Sequence, residues 1–106
     1  MPKQISADDV HAALGNTEIL ILDVRTPGEF AKGYIQGSVN IPLDSISEKI
    51  GSMVTDKDKM IYVYCLSGSR SDMAAQILTG LGFSNVYSMT NGLLMWRSKK
   101  YELISF

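Results

Sequence analysis

Cysteine occurs once in the 106 residues, so no internal disulfide can form, and neither a CxxC pair nor Cys/His zinc spacing is available. Histidine and tryptophan also occur once each. No apolar run reaches the length needed to span a bilayer, and the opening Met1-Pro2-Lys3-Gln4-Ile5-Ser6 lacks the apolar centre of a signal peptide, so a cytoplasmic protein is expected. Neither sign of charge dominates. Ten basic against eleven acidic residues give a formal net charge of −1, which provides no global field for nucleic acid or an anionic membrane. With 45% hydrophobic and 20% charged residues, the composition is that of an ordinary folded chain, and the length suits one domain over 1–106. The lone cysteine, Cys65, is therefore either a reactive thiol or a buried filler.

Apolar runs alternate with segments of helical spacing, the pattern of an α/β domain with a mostly parallel sheet. Ile19-Leu20-Ile21-Leu22 and Met60-Ile61-Tyr62-Val63-Tyr64 read as central strands covered on both faces. Val86-Tyr87, Val39-Asn40-Ile41 and an edge segment Lys3-Gln4-Ile5 are shorter candidates, making about five strands. Ser6 as N-cap, Asp8 and Asp9 in the first turn and Gly15 as a stop predict a first helix over Ala7 to Leu14. Ile46, Ile50 and Met53 predict a second. Met73, Ala74, Ile77, Leu78 and Leu81 predict a third that ends at Gly82. Thr26-Pro27-Gly28, Gly33, Gly37 and Asn91-Gly92 read as loop punctuation, with no repeat or linker.

The informative segment is Tyr62-Val63-Tyr64-Cys65-Leu66-Ser67-Gly68-Ser69-Arg70-Ser71, where the cysteine stands between the end of a buried strand and the start of a helix. In open α/β sheets, ligands bind at the carboxyl ends of the strands, and the amides of a tight loop opening a helix converge on an anion. Ser67, Gly68 and Ser69 are small enough for the backbone to curl around one centre. Such a ring, with the helix dipole and the Arg70 guanidinium, would favour a thiolate or a persulfide anion. A cysteine taken alone is more often an inert buried residue. Its neighbours here reverse that expectation.

Cys65, Gly68, Arg70 and Ser71 reproduce the form Cys-x-x-Gly-x-Arg-Ser, in which the chain resembles the active-site loop of the rhodanese family. Upstream, Leu22-Asp23-Val24-Arg25-Thr26-Pro27-Gly28-Glu29-Phe30 and Gly33-Tyr34-Ile35-Gln36-Gly37-Ser38-Val39-Asn40-Ile41-Pro42 are similar to that family's first signature. Asn91-Gly92-Leu93-Leu94-Met95-Trp96 is similar to its closing Gly-Gly-x-x-x-Trp. Two positions depart from the pattern. Tyr34 stands where a histidine is common, and Asn91 replaces a glycine, a tolerable exchange because asparagine also visits left-handed backbone. The resemblance implies a rhodanese-like three-layer fold, with a central mostly parallel sheet of about five strands and helices on both faces.

It also implies a sulfurtransferase in which Cys65 takes a sulfane sulfur from thiosulfate or another persulfide donor and passes it to a thiol or cyanide. Leu66, Ser67, Gly68, Ser69, Arg70 and Ser71 would form the anion-binding loop, with Arg70 steering the donor or bracing the loop. The route requires no metal or organic cofactor. The expected partners are a small sulfur-donor anion, the acceptor and a sulfur-carrier protein, with neither nucleic acid nor membrane, for a monomer or weak homodimer. Two other readings stay open. One is a non-catalytic rhodanese-like binding module. The other is a cysteine phosphatase or arsenate reductase, whose Cys-x5-Arg loop is one residue longer than the stretch from Cys65 to Arg70.

Other polar residues carry blander expectations. Asp23, Arg25 and Glu29 should form a hydrogen-bonded clamp on the following turn. His11 should be solvated or packed rather than act as a base to Cys65. Met73, Met89 and Met95 should pack in the core, and Trp96 should wedge the last helix. Arg97, Lys99 and Lys100 make a solvated basic face.

Overall fold

The computed structural model, which describes residues 2–106, builds one five-stranded sheet in the order β1-β5-β4-β2-β3. The strands are β1 (Lys3–Ile5), β2 (Ile19–Asp23), β3 (Val39–Asn40), β4 (Met60–Tyr64) and β5 (Asn85–Met89), and every pairing between them is parallel. Parallel strands are stable when both faces are covered, and β2 and β4 meet that need by alternation. Leu20, Leu22, Ile61 and Val63 point to one apolar cluster, while Ile19, Ile21, Tyr62 and Tyr64 point to the other. Each fully buried aliphatic side chain contributes about 1.5–3 kcal/mol by leaving water.

Helices α3 (Ile46–Met53) and α4 (Ser69–Gly80) cover the first face with Ile46, Ile50, Ala74, Ala75 and Leu78. Helices α1 (Ala7–Ala12) and α5 (Gly92–Ser98) cover the second with Ala7, Val10, Leu93 and Trp96. This is the expected α/β architecture with helices on both faces. Trp96 is fully buried and its Nε1 donates to the Glu102 carbonyl at 2.9 Å, as befits a wedge under the last helix.

Some expectations need correction. The Thr26-Pro27-Gly28 stretch is not plain loop but the start of α2 (Pro27–Ala31), closed by a capping box between Thr26 and Glu29. The first helix stops at Ala12, and residues 13–15 continue as a turn. Met73 and Leu81 are 54% and 41% exposed, so they lie outside the core stripe of α4. Its buried line runs instead through Ser71, Ala74, Ala75 and Leu78, where the paired alanines let the helix lie close to the sheet. Met89 is buried and Met95 packs against the second cluster, as expected. Among the described residues, no helix is long and apolar enough to cross a membrane.

Candidate active site

Cys65 directly follows β4, the central strand, and its side chain joins the cluster beneath α4 with no exposed surface. The loop that turns the chain is short, because α4 begins at Ser69, so Ser69, Arg70 and Ser71 form its first turn rather than a free loop. Gly68 sits at the N-cap with φ +114°, a left-handed conformation that suits glycine, and no side chain caps the helix. The Gly68 N–H donates to Cys65 Sγ at 3.0 Å. An uncapped helix start retains unsatisfied N–H groups and the positive end of the dipole, both favourable to a sulfur anion. Leu66 and Arg70 are half-buried, Ser67 and Ser69 are exposed, and Ser71 is buried.

Helix α5 fixes this loop from the side. The Leu93 N–H donates to the Cys65 carbonyl at 3.0 Å and the Leu94 N–H to the Leu66 carbonyl at 3.1 Å. That contact depends on Gly92, where a Cβ would stand 2.5 Å from both of those carbonyl oxygens. Asn91, just before it, holds φ +61°, which accounts for its tolerance in place of glycine. The late Asn91-Gly92 motif thus touches the cysteine loop directly.

The charged residues form the expected clamp on the turn and add a partner from outside it. Arg25 is buried against Asp23, with Nη2 to Oδ2 at 2.6 Å and Nε to both oxygens at 3.1 Å, and its Nη2 also donates to the Gly33 carbonyl at 2.7 Å. Burial works against the Arg25 charge, but the hydrogen bonds and charge of Asp23 outweigh it and raise its pKa. Tyr64, below that guanidinium, accepts from the Ile35 N–H at 3.1 Å and bonds to Ser38 Oγ at 2.9 Å. Burial, reinforced by the charge of Asp23, pushes its phenol upward. This part of the clamp ties the end of β2 and the 33–38 loop to the residue before the cysteine.

Glu29 stays in the clamp through its carbonyl, which accepts from Arg25 Nη1 at 3.4 Å, and its side chain also reaches outside it. Its carboxylate accepts two hydrogen bonds from Arg70, at 2.6 and 3.0 Å, and closes the α2 cap on the Thr26 N–H at 3.2 Å. The Arg70 contact is the main reason that its pKa falls from the usual 4.5 to about 2. Arg70 is raised in turn, chiefly by the same bond. Its guanidinium therefore links α4 to α2, a brace more than a free steering charge.

The sequence reading missed the Glu29–Arg70 pair and the buried Ser88, which bonds to Ser71 at 2.7 Å. The spacing Thr26-x-x-Glu29 is a capping-box signature that could have located α2. Ser88 extends the Val86-Tyr87 run by one more inward position, a signal that its polarity obscured. His11 stacks on Tyr101 with centroids 3.8 Å apart, a packing role. Lys99 pairs with Asp8 at 3.2 Å. Among the described residues, no cluster of three or more His, Cys, Asp or Glu could hold a metal ion. A cavity of about 230 Å³ between α1 and α5, lined by Ser6, Asp8, Thr90 and Lys99 among others, includes no residue of the cysteine loop.

The profile of the family described as "Rhodanese-like domain" matches residues 6–99. The chain is 38% identical over 65 residues to thiosulfate sulfurtransferase PspE of Escherichia coli, a match covering 61% of this chain and 62% of that protein. It is 37% identical over 95 residues to thiosulfate sulfurtransferase GlpE of Stutzerimonas stutzeri, covering 90% of this chain and 84% of the relative. The crystal structure of a rhodanese-related protein from Thermoplasma volcanium superposes with a TM-score of 0.84 at 31% identity, covering 96% of this chain and 97% of the other.

Proposed function

Because the chain belongs to the rhodanese-like domain family, we propose that it is a sulfurtransferase that carries a sulfane sulfur as a persulfide on Cys65. The observation that carries this reading is the placement of the only cysteine: it directly follows the central strand, accepts the Gly68 N–H and faces the uncapped start of α4. The Cys65 thiolate attacks the outer sulfur of thiosulfate or of a thiol-borne persulfide. The new S–S bond forms as the old one breaks, so sulfite or the donor thiolate leaves with the electron pair. The outer sulfur then lies about 2 Å beyond Sγ. The amides from Leu66 to Ser71 surround its charge. An acceptor thiolate or cyanide attacks that sulfur, and Cys65 is restored as the thiolate.

No metal or organic cofactor enters these steps. A reducing cytoplasmic setting would keep Cys65 free for them. The phosphatase reading is disfavoured by Arg70. Such an enzyme needs that guanidinium for the phosphoryl group, whereas here both terminal nitrogens are bonded to Glu29. The binding-module reading has no comparable observation in its favour.

Intact-protein mass spectrometry after treatment with thiosulfate or a small persulfide tests the proposal. The expected result is the gain of one sulfur atom, lost in Cys65→Ser and discharged by cyanide or a thiol. A wild type that gains no sulfur from either donor would favour the binding module. Phosphatase turnover on aryl phosphates equal to sulfur transfer would overturn the argument from Arg70.

A further inference from the structure

Ser88 is a hydroxyl in an apolar place. It pairs in register with Val63 of β4, two residues before Cys65, and lies two residues after the buried Val86. A buried hydroxyl is costly unless it is hydrogen-bonded, and that of Ser88 bonds to Ser71 Oγ at 2.7 Å. Ser71, equally buried, lies 3.7 Å from Cys65 Sγ through the same oxygen and is 3.0 Å from the Gly68 carbonyl. A chain of contacts therefore runs from the nucleophile through Ser71 to β5.

Each hydroxyl has one proton to donate, and this fixes the direction of the chain. If Ser71 donated to Ser88, the Ser88 proton would be buried without an acceptor among the described residues. Ser88 must then donate to Ser71, which leaves the Ser71 proton for either Gly68 O or Sγ. The Gly68 carbonyl also accepts the Asp72 N–H at 2.9 Å, so it stays satisfied when Ser71 turns away. While Cys65 is a thiol, its S–H points to Ser71 and Ser71 donates to Gly68. Once the thiol proton is lost to solvent, the Ser71 O–H rotates to the sulfur anion. Neither serine ionises.

We propose that Ser88 is a positioning residue, which holds the Ser71 hydroxyl as a donor to the anionic sulfur of Cys65. The proposal rests on the sulfurtransferase reading above and adds a residue of β5 to the site. The charged groups around the thiol are Arg70 on α4, its partner Glu29 on α2, and Asp23 and Arg25 at the end of β2. None of them hydrogen-bonds to Ser88, so a substitution there leaves the charges in place.

With a single cysteine, the ultraviolet absorbance of the thiolate against pH, corrected with Cys65→Ser, follows Cys65 alone. Ser88→Ala and Ser71→Ala should each raise the midpoint of thiolate formation by about half a pH unit or more, the share of one charge-assisted hydrogen bond. The double variant should rise no further than Ser71→Ala, because Ser88 acts through Ser71. Ser88→Thr and Ser88→Val, nearly equal in volume, separate the hydroxyl from packing: the midpoint should keep its wild-type value in the first and rise in the second. Equal midpoints in that pair, or additive shifts in the double variant, would overturn the relay. Sulfur uptake by the wild type is scored separately by mass. Its absence would overturn the sulfurtransferase reading and this proposal with it, whereas uptake with equal midpoints defeats the relay alone.

Discussion

Leu66 puts an apolar side chain beside Cys65, half-buried against the second core cluster. A dianionic donor gains nothing from it, whereas the carbon chain of a thiol-borne persulfide can pack there. Leu66→Arg can keep its stem on the same surface and present the cation to solvent. Its Michaelis constant for thiosulfate should fall about fivefold, the effect of about 1 kcal/mol, and its preference for thiol-borne sulfur should shrink. An unchanged or higher constant would remove position 66 from donor choice. Glu29 makes a second residue-scale test, in pH. Its folded pKa of about 2 lies below the usual 4.5, so the unfolded chain binds the extra proton first on acidification. The stability it contributes is complete above pH 4.5 and is lost as pH falls through about 2. The melting-temperature advantage of wild type over Glu29→Gln should therefore be constant near neutrality and vanish across that window. A constant gap down to the lower limit would show that Glu29 is not the group titrating.

Elements meet at the cysteine loop through two glycines and one ion pair, and their legibility differs. The turn from β4 into α4 could be read from Cys65-Leu66-Ser67-Gly68, because a small-residue run between an apolar strand and a helical stripe has few other uses. The docking of α5 could not. It depends on Gly92 lying against carbonyls 26 and 27 residues away in sequence, a distance that only the order of β4 and β5 closes. Helix α2 was hidden because Pro27-Gly28 reads as a turn until the Thr26–Glu29 box is weighed. Its partner Arg70 lies beyond an entire βαβ crossover. Gly92→Ala tests the docking, since its Cβ would overlap two carbonyl oxygens at φ +51°. The fold should lose more than about 1 kcal/mol, and sulfur uptake should fall further than stability. Gly51→Ala is the control. In the exposed interior of α3, with nothing within 4 Å of the new methyl, it should gain about 0.4–1 kcal/mol. Chemical denaturation in which Gly92→Ala, like the control, gains stability would show that Gly92 is not held by contact with the loop.

At the scale of the whole molecule, the sheet order places Cys65 at the centre of the carboxyl edge, where β2, β4 and β5 all end. That plan was readable because both faces are apolar, and two-sided burial leaves an uninterrupted hydrophobic run in the sequence. The disposition of charge was not readable from composition. A net charge of −1 suggests little field, but what a donor meets depends on which cations are free. Arg25 is held by Asp23 and Arg70 by Glu29, so neither arginine brought to this edge is unpaired. Under the proposed function, capture of thiosulfate then rests on short-range backbone dipoles, which salt screens weakly. The wild-type kcat/KM for thiosulfate should vary less than about twofold between about 0.01 and 0.5 M salt, while the Debye length falls from about 30 Å to a few ångströms. Leu66→Arg should bring a decline with salt, and Glu29→Gln should do the same by freeing Arg70. A steep decline already present in the wild type would show that Arg70 exchanges Glu29 for the donor. In that event Glu29→Gln should lower the Michaelis constant without steepening the salt dependence, because the cation it frees was already in use.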